Sequence, residues 1–367
     1  MSSAQPGGAS CPVSIVIKAL NEEARIGAAI ESALTAVAPL GGEVVLADSC
    51  SSDRTVEIAS TYPIRIVQLA DPAERCCGVG PQLGFQHTLG EYVYLMDGDM
   101  KLAPRFLDQG LSFLAQHPEV AGVGGQLVEE NMDHLEFRER ALRGDQRKSG
   151  PVDRLDGGGL YRRRAIHEAG YLSDRNLHSY EEFDLAVRLR ARGWKLWRMS
   201  ATAVEHHGHD TPPYQLLLRR WRSGYICGAG ELLRSAMGQP WMRLVLRDQR
   251  ELRLYVGVLC WWALLLTTPF WPLDASSRAL AFALMAAWPV AMMVARKRSI
   301  GRGVYAVVSW SFNAVGLLRG LLRRRRQPRA PIASRILREP EQEPTPPRSG
   351  TPPGASARRA PPSAHPS

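Results

Sequence analysis

Two long apolar segments constrain the fold of this chain more than any other feature. Residues 254–270 and 279–295 contain no charged side chain, and each is just long enough, at about 17 residues, to cross a bilayer as a helix. Arginine and lysine residues precede the first segment and follow the second, and such residues remain on the cytoplasmic side of a membrane. The sequence therefore predicts a transmembrane hairpin whose outer ends both lie in the cytoplasm.

A third apolar segment, residues 304–322, differs from the first two. Asn313 and Arg319 interrupt it, and four arginines follow it at once, at residues 323–326. A third crossing would place those arginines on the outer side, so we expect a re-entrant or interfacial helix here. The alternative for all three segments is a buried helical bundle in a soluble domain, which the tryptophans near the segment ends disfavour.

The net charge of the chain is concentrated in its C-terminal tail. Of the formal net charge of +10, the ten arginines and three glutamates of residues 323–367 contribute +7. This tail is rich in proline and poor in large apolar residues, so we expect it to be disordered. The remainder is close to neutral, which disfavours a nucleic-acid partner, although a basic RNA-binding tail is an alternative. Residues 1–11 are expected to form a flexible N-terminus without the basic start of a signal peptide.

Strand and helix patterns alternate between residues 12 and 205. Apolar strands such as "VSIVIKAL" and "GEVVLAD" are separated by segments with helical spacing, such as "NEEARIGAAIESAL". This alternation predicts an α/β domain with a mostly parallel sheet and helices on both faces. Residues 206–250 are expected to form an amphipathic, interfacial helical region. The six cysteines are scattered without a CxxC pair, so we expect reduced thiols and no structural zinc site.

Acidic residues collect at the predicted strand ends. The first, second and fourth strands end beside Glu22 and Glu23, Asp48, and the pair Asp97 and Asp99. In parallel sheets, ligands bind outside the carboxyl ends of the strands. Carboxylates gathered there repel one another unless a cation or a hydroxyl-bearing ligand compensates them. The pattern therefore predicts a site for a divalent metal and a sugar nucleotide.

Five motifs in this order resemble those of the family 2 glycosyltransferases with the GT-A fold, of the bacterial membrane-anchored type. They are "VSIVIKALNEE", "VVLADSCSSDRT", "YVYLMDGDM", "GGGLYRRRAIHEAGYLSD" and "YEEFDLAVRLRARGWKL". Together they extend over about half of the chain. The resemblance implies a Rossmann-like GT-A domain over residues 12–205, followed by the membrane region of residues 251–322.

The resemblance also implies a nucleotide-sugar donor and a divalent cation, Mn²⁺ or Mg²⁺. It assigns nucleotide binding to Ala19, Glu22, Glu23, Asp48, Arg75 and Asp97. Asp99 matches the metal ligand of the family's DxD motif, with Asp97 beside it. The resemblance also makes a histidine after the acceptor-side helix, His207 or His209, a candidate to complete the metal sphere or to contact the diphosphate.

The catalytic base is expected in the segment "YEEFDL". Glu182 stands where the family usually has an aspartate, and Glu181 is the alternative. A carboxylate at this position would take the proton from the attacking hydroxyl group. Asp184 is expected to face the helix interior or a structural partner. The non-catalytic explanation is a charged first turn that complements the helix dipole.

The resemblance places four further residues on the acceptor side, namely Gly158, Gly159, Arg220 and Trp221. Arg220 and Trp221 match part of the QxxRW motif of processive family members, but Leu217 stands where that motif has glutamine. This departure favours transfer of a single sugar over extrusion of a polymer.

The predicted function is inverting, metal-dependent transfer of a sugar, with UDP as the expected carrier, to a hydroxyl group of a lipid-linked or saccharide acceptor. The expected location is the cytoplasmic face of the inner membrane, with membrane lipids as partners, in the synthesis of cell-surface polysaccharide or glycolipid. One alternative is a polyprenyl-phosphate glycosyl synthase. The other is a non-catalytic membrane scaffold that binds a nucleotide.

Overall fold

The computed structural model describes residues 12–129, 149–206 and 211–340. Their strands form one sheet in the order β10-β3-β2-β1-β4-β8-β6-β9-β5, with β7 paired to β9. The strands are β1 (Val13–Ala19), β2 (Glu43–Asp48), β3 (Arg65–Leu69), β4 (Tyr92–Asp97), β5 (Met100–Leu102), β6 (Val120–Glu129), β7 (Gly150–Val152), β8 (Gly159–Arg162), β9 (Lys195–His206) and β10 (Ser334–Arg338).

Twelve α-helices lie in the described residues. In the sheet domain they are α1 (Ile26–Val37), α2 (Thr55–Ala59), α3 (Val79–Gln86), α4 (Phe106–Gln116), α5 (Arg163–Ala169) and α6 (Glu181–Arg190). In the C-terminal region they are α7 (Pro213–Ser223), α8 (Gly228–Ala236), α9 (Met242–Asp248), α10 (Glu251–Thr267), α11 (Ala275–Lys297) and α12 (Ile300–Leu322).

The first four strands pair in parallel, in the order β3-β2-β1-β4. Their residues form continuous apolar runs that are buried on both faces, which is typical of parallel sheets covered by helices. Side chains of α1 and α4 cover one face, and those of α3, α5 and α6 cover the other. The predicted α/β fold with helices on both faces is confirmed, whereas the second half of the sheet is mixed, since β8 pairs antiparallel with both β4 and β6.

Helix α6 lies between the sheet domain and the C-terminal helices. Leu185 and Leu189 pack into the core beside the sheet. Phe183 and Val187, on the other side of the helix, join a separate apolar cluster with side chains of α8, α9, α10 and α12. The position of the first turn of α6 is therefore set by both parts of the molecule.

Three helices are long and apolar enough to cross a membrane, at residues 251–270, 275–297 and 300–322. Helix α11 is the least covered of them, and large apolar side chains such as Leu284 and Trp288 are exposed on it. The third helix, α12, runs continuously for 23 residues. The interfacial placement of this helix stays a prediction.

The predicted disorder of the tail is wrong for its described part. Ser334–Arg338 forms strand β10, which pairs antiparallel with β3 at the edge of the sheet. Ile332 is buried in the core on the α3 side of the sheet. The prediction of disorder was based on the polar composition of the tail. A segment with little apolar surface of its own can still be ordered, because an open sheet edge supplies backbone hydrogen bonds to it. Residues 341–367 lie outside the described residues.

Candidate active site

A cavity of about 470 Å³ opens at the carboxyl ends of β1, β2 and β4. The residues that line it are Lys18, Ala19, Leu20, Glu22, Ser49, Arg75, Cys76, Cys77, Gly80, Asp97, Asp99, His178, Ser223 and Tyr225. The strand ends meet here because the first four strands are parallel, and this edge is where such sheets bind ligands. Four of the predicted nucleotide residues, Ala19, Glu22, Arg75 and Asp97, therefore face one space.

Lys18 links the donor side of the cavity to the helix that carries the candidate base. Its Nζ lies 3.0 Å from Oδ1 of Asp97 and 3.3 Å from Oε1 of Glu181. Burial by itself would lower the pKa of Lys18, but the carboxylates of Asp97, Glu181 and Glu182 raise it well above its ordinary value. Lys18 is therefore charged and offsets part of the repulsion among these carboxylates. Sequence analysis missed it, because a lone lysine in an apolar strand belongs to none of the motifs we considered.

The carboxylates at the strand ends oppose each other's ionisation. Burial, together with the nearby charges of Asp99 and Asp97, raises the pKa of Glu22 to about 7. Burial likewise raises the pKa of Asp97, against the opposing effect of Lys18. Added positive charge at this point would relieve both effects, so the site favours a cation.

His206 lies beside Asp99, which the sequence analysis did not foresee. Its Nε2 is 3.4 Å from Oδ2 of Asp99, and its Nδ1 is 2.6 Å from Oε2 of Glu129. Burial would lower the pKa of His206, but its hydrogen bonds with Asp99 and Glu129 raise it to about 9. The predicted candidates His207 and His209 lie outside the described residues.

The donor set fits a hard divalent cation that a ligand would share. In the described part of the chain, no group of three or more His, Cys, Asp or Glu side chains could hold a metal alone. Mg²⁺, however, is usually bound through one or two carboxylates together with substrate phosphates. Asp97 and Asp99 provide such carboxylates at the cavity wall. His206 is placed to assist them, oriented by Glu129 as metal-binding histidines usually are.

Two other predicted nucleotide residues are engaged within the protein. Asp48 is buried, and its Oδ2 accepts hydrogen bonds from the backbone N–H of Ser51 at 3.1 Å and from Nε2 of Gln68 at 2.9 Å. Glu23 accepts a hydrogen bond from the backbone N–H of Arg54. Of these two glutamates predicted to bind the nucleotide, the structure thus places Glu22 in the cavity and Glu23 against the turn after β2.

Glu182 sits behind Lys18, in a small adjoining cavity of about 20 Å³. Its Oε1 accepts a hydrogen bond from the backbone N–H of Gly158 at 3.2 Å. Burial is the main cause that raises the pKa of Glu182; with the opposing charge of Lys18 and the added charge of Glu181, the pKa is about 8. A carboxyl group that titrates near neutral pH is suited to proton transfer. Lys18 and Asp97 line both cavities, so the cavity of Glu182 lies directly beside the larger one.

The glycines before β8 allow this contact. Gly158 has a φ of +95°, and a Cβ at this position would overlap the carbonyl oxygen of Leu95. Its neighbour Gly159 is the first residue of β8 and pairs with Leu95 of β4. Only glycine fits at Gly158, and its backbone N–H is thereby aimed at Glu182.

The other acidic residue of this helix is structural. Asp184 is fully buried, and its Oδ2 accepts a hydrogen bond from Nε of Arg188 at 2.8 Å. Arg188 also donates to the backbone carbonyl groups of Ala169, Tyr171 and Leu172. This pair anchors α6 to the segment before it, as expected for Asp184.

Arg220 and Trp221 take different positions. Trp221 packs edge-on against Phe312 of α12, at 5.1 Å between ring centroids, and Arg319 lies over its ring. Arg220 lies over the ring of Tyr225, which lines the large cavity. Helix α7 therefore joins α12 to the wall of the cavity through these two side chains.

The fold and the cavity at its strand ends are those of a GT-A glycosyltransferase. Residues 14–170 match the sequence profile described as "Glycosyl transferase family 2". Over these residues the chain is similar to the family 2 glycosyltransferases.

Two curated relatives show how far the likeness extends. "Glucomannan 4-beta-mannosyltransferase 2" of Arabidopsis thaliana is 30% identical over 157 residues, which is 40% of this chain and 28% of that protein. "Undecaprenyl-phosphate 4-deoxy-4-formamido-L-arabinose transferase" of Pectobacterium carotovorum is 31% identical over 136 residues, which is 35% of this chain and 40% of that protein. The chain thus spans well under half of the length of either relative.

Among solved structures, the mannosyltransferase PcManGT from Pyrobaculum calidifontis, in complex with GDP-Man and Mn²⁺, is similar with a TM-score of 0.52. The sequence identity is 18%, and the match covers 84% of this chain and 87% of that one. This likeness shows a shared fold.

Proposed function

We propose that this protein transfers a sugar from a nucleoside diphosphate-sugar to an acceptor hydroxyl group, in a metal-dependent reaction that inverts the anomeric carbon. The observation that carries the proposal is the wall that the two cavities share. Asp97 and Lys18 line the large cavity at the strand ends and also the small one that holds Glu182. The donor side and the proposed base therefore lie next to each other, on either side of these two side chains.

The donor side is formed by acidic groups. Asp99 and Asp97, with His206, would hold Mn²⁺ or Mg²⁺, which stabilises the negative charge of the diphosphate leaving group. Glu22 projects into the same cavity and is suited to bind hydroxyl groups of the ribose. PcManGT was solved with GDP-Man, so GDP-sugars stand beside the UDP-sugars we expected from the sequence.

Glu182 is the proposed general base. Its carboxylate takes the proton of the acceptor hydroxyl, the acceptor oxygen bonds to the anomeric carbon, and the bond from that carbon to the diphosphate oxygen breaks. One displacement of this kind inverts the configuration. The hydrogen bond from the Gly158 N–H orients the carboxylate. Burial raises the pKa of both Glu182 and Asp97, and the positive charge of Lys18 opposes that rise at both groups.

The acceptor is proposed to be a membrane lipid that carries a sugar, with the active site at the cytoplasmic face. Support comes from three helices long enough to cross a membrane and from the packing of Trp221 on the third of them. A second candidate is direct transfer to a polyprenyl phosphate, since one relative is named for undecaprenyl phosphate. The two differ in the attacking atom, which is a hydroxyl oxygen in the first case and a phosphate oxygen in the second.

Calorimetric titration tests the donor site. The full-length protein in neutral detergent is titrated with UDP and with GDP, with Mn²⁺ or with EDTA. We expect metal-dependent binding of one nucleotide, which Asp99→Asn abolishes and Asp108→Asn leaves intact, because Asp108 is exposed on α4. Absence of metal-dependent binding for both nucleotides contradicts the proposal. Product masses from sugar donors of the bound nucleotide then separate a sugar hydroxyl acceptor from a phosphate.

A further inference from the structure

A second polar cavity, of about 110 Å³, lies next to the donor cavity. The two share Arg75, Cys76 and His178. The second cavity is lined by Ala73, Glu74, Arg75, Cys76, Arg175, Asn176, His178, Glu231 and the four arginines 323–326. We call it the arginine cavity.

Positive charge exceeds negative charge in the arginine cavity. Six arginines line it, against the two carboxylates of Glu74 and Glu231. A third carboxylate, Asp174, pairs with Arg325 from behind, at 2.6 Å from its Nη2. Even with Asp174 counted, three guanidinium charges have no counter-charge from these carboxylates. An anionic ligand would supply the missing negative charge.

The paired arginines hold the cavity walls in place. Glu74 bonds to both Arg175 and Arg326. The side chain of Arg175 is buried and also donates to the carbonyl oxygens of Ala330 and Pro331. Nε of Arg323 is 3.4 Å from Oε1 of Glu231. The walls are thus built from the loop before α3, the loop before α6, and the segment after α12, and they are joined by ion pairs, of which the Arg175–Glu74 pair is the most buried.

Arg324 and Arg75 are the arginines best placed to bind a ligand. Within residues 12–129, 149–206 and 211–340, Arg324 has no carboxylate partner, and Arg75 donates to the carbonyl oxygen of Cys50. Guanidinium groups bind phosphate oxygens through two parallel N–H bonds, and they do so better than a point charge. Phosphate is therefore the anion that this wall suits.

The location of the cavity points to a lipid as the source of the phosphate. Arg323 follows Leu322, the last residue of α12, so the cavity begins where the third apolar helix ends. A phosphate on a lipid headgroup lies at this depth when such a helix meets the membrane surface. A site for a soluble phosphate would not need to lie close to the end of an apolar helix.

We propose that the arginine cavity binds the phosphate group of a membrane lipid, through Arg324 and Arg75, beside the donor cavity. The inference rests on the membrane placement in the proposed function and is independent of the transfer chemistry. Bound there, the lipid phosphate would place its chain along α12 and would hold the loop that carries Arg75.

Binding of phosphate amphiphiles tests this proposal without donor or metal. The full-length protein in neutral detergent with EDTA is titrated with farnesyl phosphate, with dioctanoyl phosphatidic acid, with dioctanoyl phosphatidylcholine and with inorganic phosphate. We expect both phosphate monoester amphiphiles to bind and Arg324→Gln to weaken them about tenfold, since one charged hydrogen-bond partner is lost. Arg324→Lys should weaken the binding of these amphiphiles less than Arg324→Gln does. Arg243→Gln, at an exposed position on α9, should leave binding unchanged.

The probes distinguish the sources of the phosphate. Tighter binding of farnesyl phosphate than of phosphatidic acid supports a prenyl-type acceptor lipid, and equal binding supports a general headgroup site. Binding of inorganic phosphate as tight as that of the amphiphiles overturns the lipid assignment. Equal affinities in Arg324→Gln and the unmodified protein, with thermal stability preserved, overturn the site itself. Asp99→Asn should bind these lipids normally, so failure of the donor site and failure of this cavity are distinguishable.

Discussion

Nζ of Lys18 lies 3.0 Å from Oδ1 of Asp97, and the same nitrogen reaches Glu181 at 3.3 Å. One ammonium group thus ties a donor-side carboxylate at the end of β4 to the first residue of α6. The strand and the helix belong to distant parts of the sequence. The contact sets the distance between the proposed metal site and the proposed base.

Replacement of Lys18 by methionine should reduce kcat at least about 100-fold, because like charges on Asp97, Glu181 and Glu182 would then face each other without compensation. The apparent pKa of the activity profile should also rise. Lys195→Met provides the control, since Lys195 is an exposed lysine at the start of β9. A Lys18→Met enzyme with ordinary kcat and an unchanged pH profile would contradict the bridging role.

The pH dependence of kcat/KM should report Glu182. A general base acts when deprotonated, and burial holds the pKa of Glu182 at about 8, so kcat/KM should rise with pH, about tenfold per unit below pH 8, and level off above it. Glu182→Gln should reduce the rate by about 100- to 10,000-fold. Glu181→Gln provides the comparison, because Glu181 pairs with Lys18. A larger loss in Glu181→Gln than in Glu182→Gln would transfer the role of base to Glu181.

His206→Asn should weaken Mn²⁺ binding in the presence of the nucleotide by about 10- to 100-fold, the range seen when a group that supports a metal site is lost. Glu129→Gln should have a smaller effect in the same direction, because Glu129 orients His206 through its Nδ1. Metal titration by calorimetry or by Mn²⁺ electron paramagnetic resonance measures both. His117→Asn, a partly exposed histidine after α4, should bind the metal normally, and unchanged binding in His206→Asn would exclude that residue from the site.

Gly158→Ala should both destabilise the protein and lower kcat. The added Cβ would overlap the carbonyl group of Leu95, at a φ that side chains rarely adopt. Relief of that overlap moves the N–H group that orients Glu182. Thermal unfolding and initial rates measure the two effects. Gly301→Ala, where an added Cβ meets no atom within 4 Å, should change neither, and a Gly158→Ala protein that behaves like it would contradict the close approach.

Ile332→Ala should reduce the free energy of unfolding by about 2–5 kcal/mol, the usual cost of emptying a buried aliphatic site. Ile332 is 2% exposed and packs in the core beside α3. Ile336, on strand β10, is 52% exposed, so Ile336→Ala should leave the stability nearly unchanged. Chemical denaturation in detergent measures the difference. Equal stabilities of the two variants would mean that the segment after α12 does not pack on the sheet.

The first four strands and the acidic groups at their ends could be predicted from the amino-acid sequence. Continuous apolar runs are readable locally, and parallel pairing brings their carboxyl ends to one edge. The apolar helices are equally local, since length and composition define them.

Which side chains from distant parts of the chain meet could be learned only from the folded structure. Strand β9 extends to His206, and its register against β5 sets that residue opposite Met100, next to Asp99. The predicted domain boundary at residue 205 falls one residue before His206, and the predicted metal-site histidines lie later in the chain. Register depends on pairing between strands far apart in the chain, which no local pattern encodes. The roles of Lys18 and strand β10 could not be predicted for the same reason, because each depends on a partner on another element.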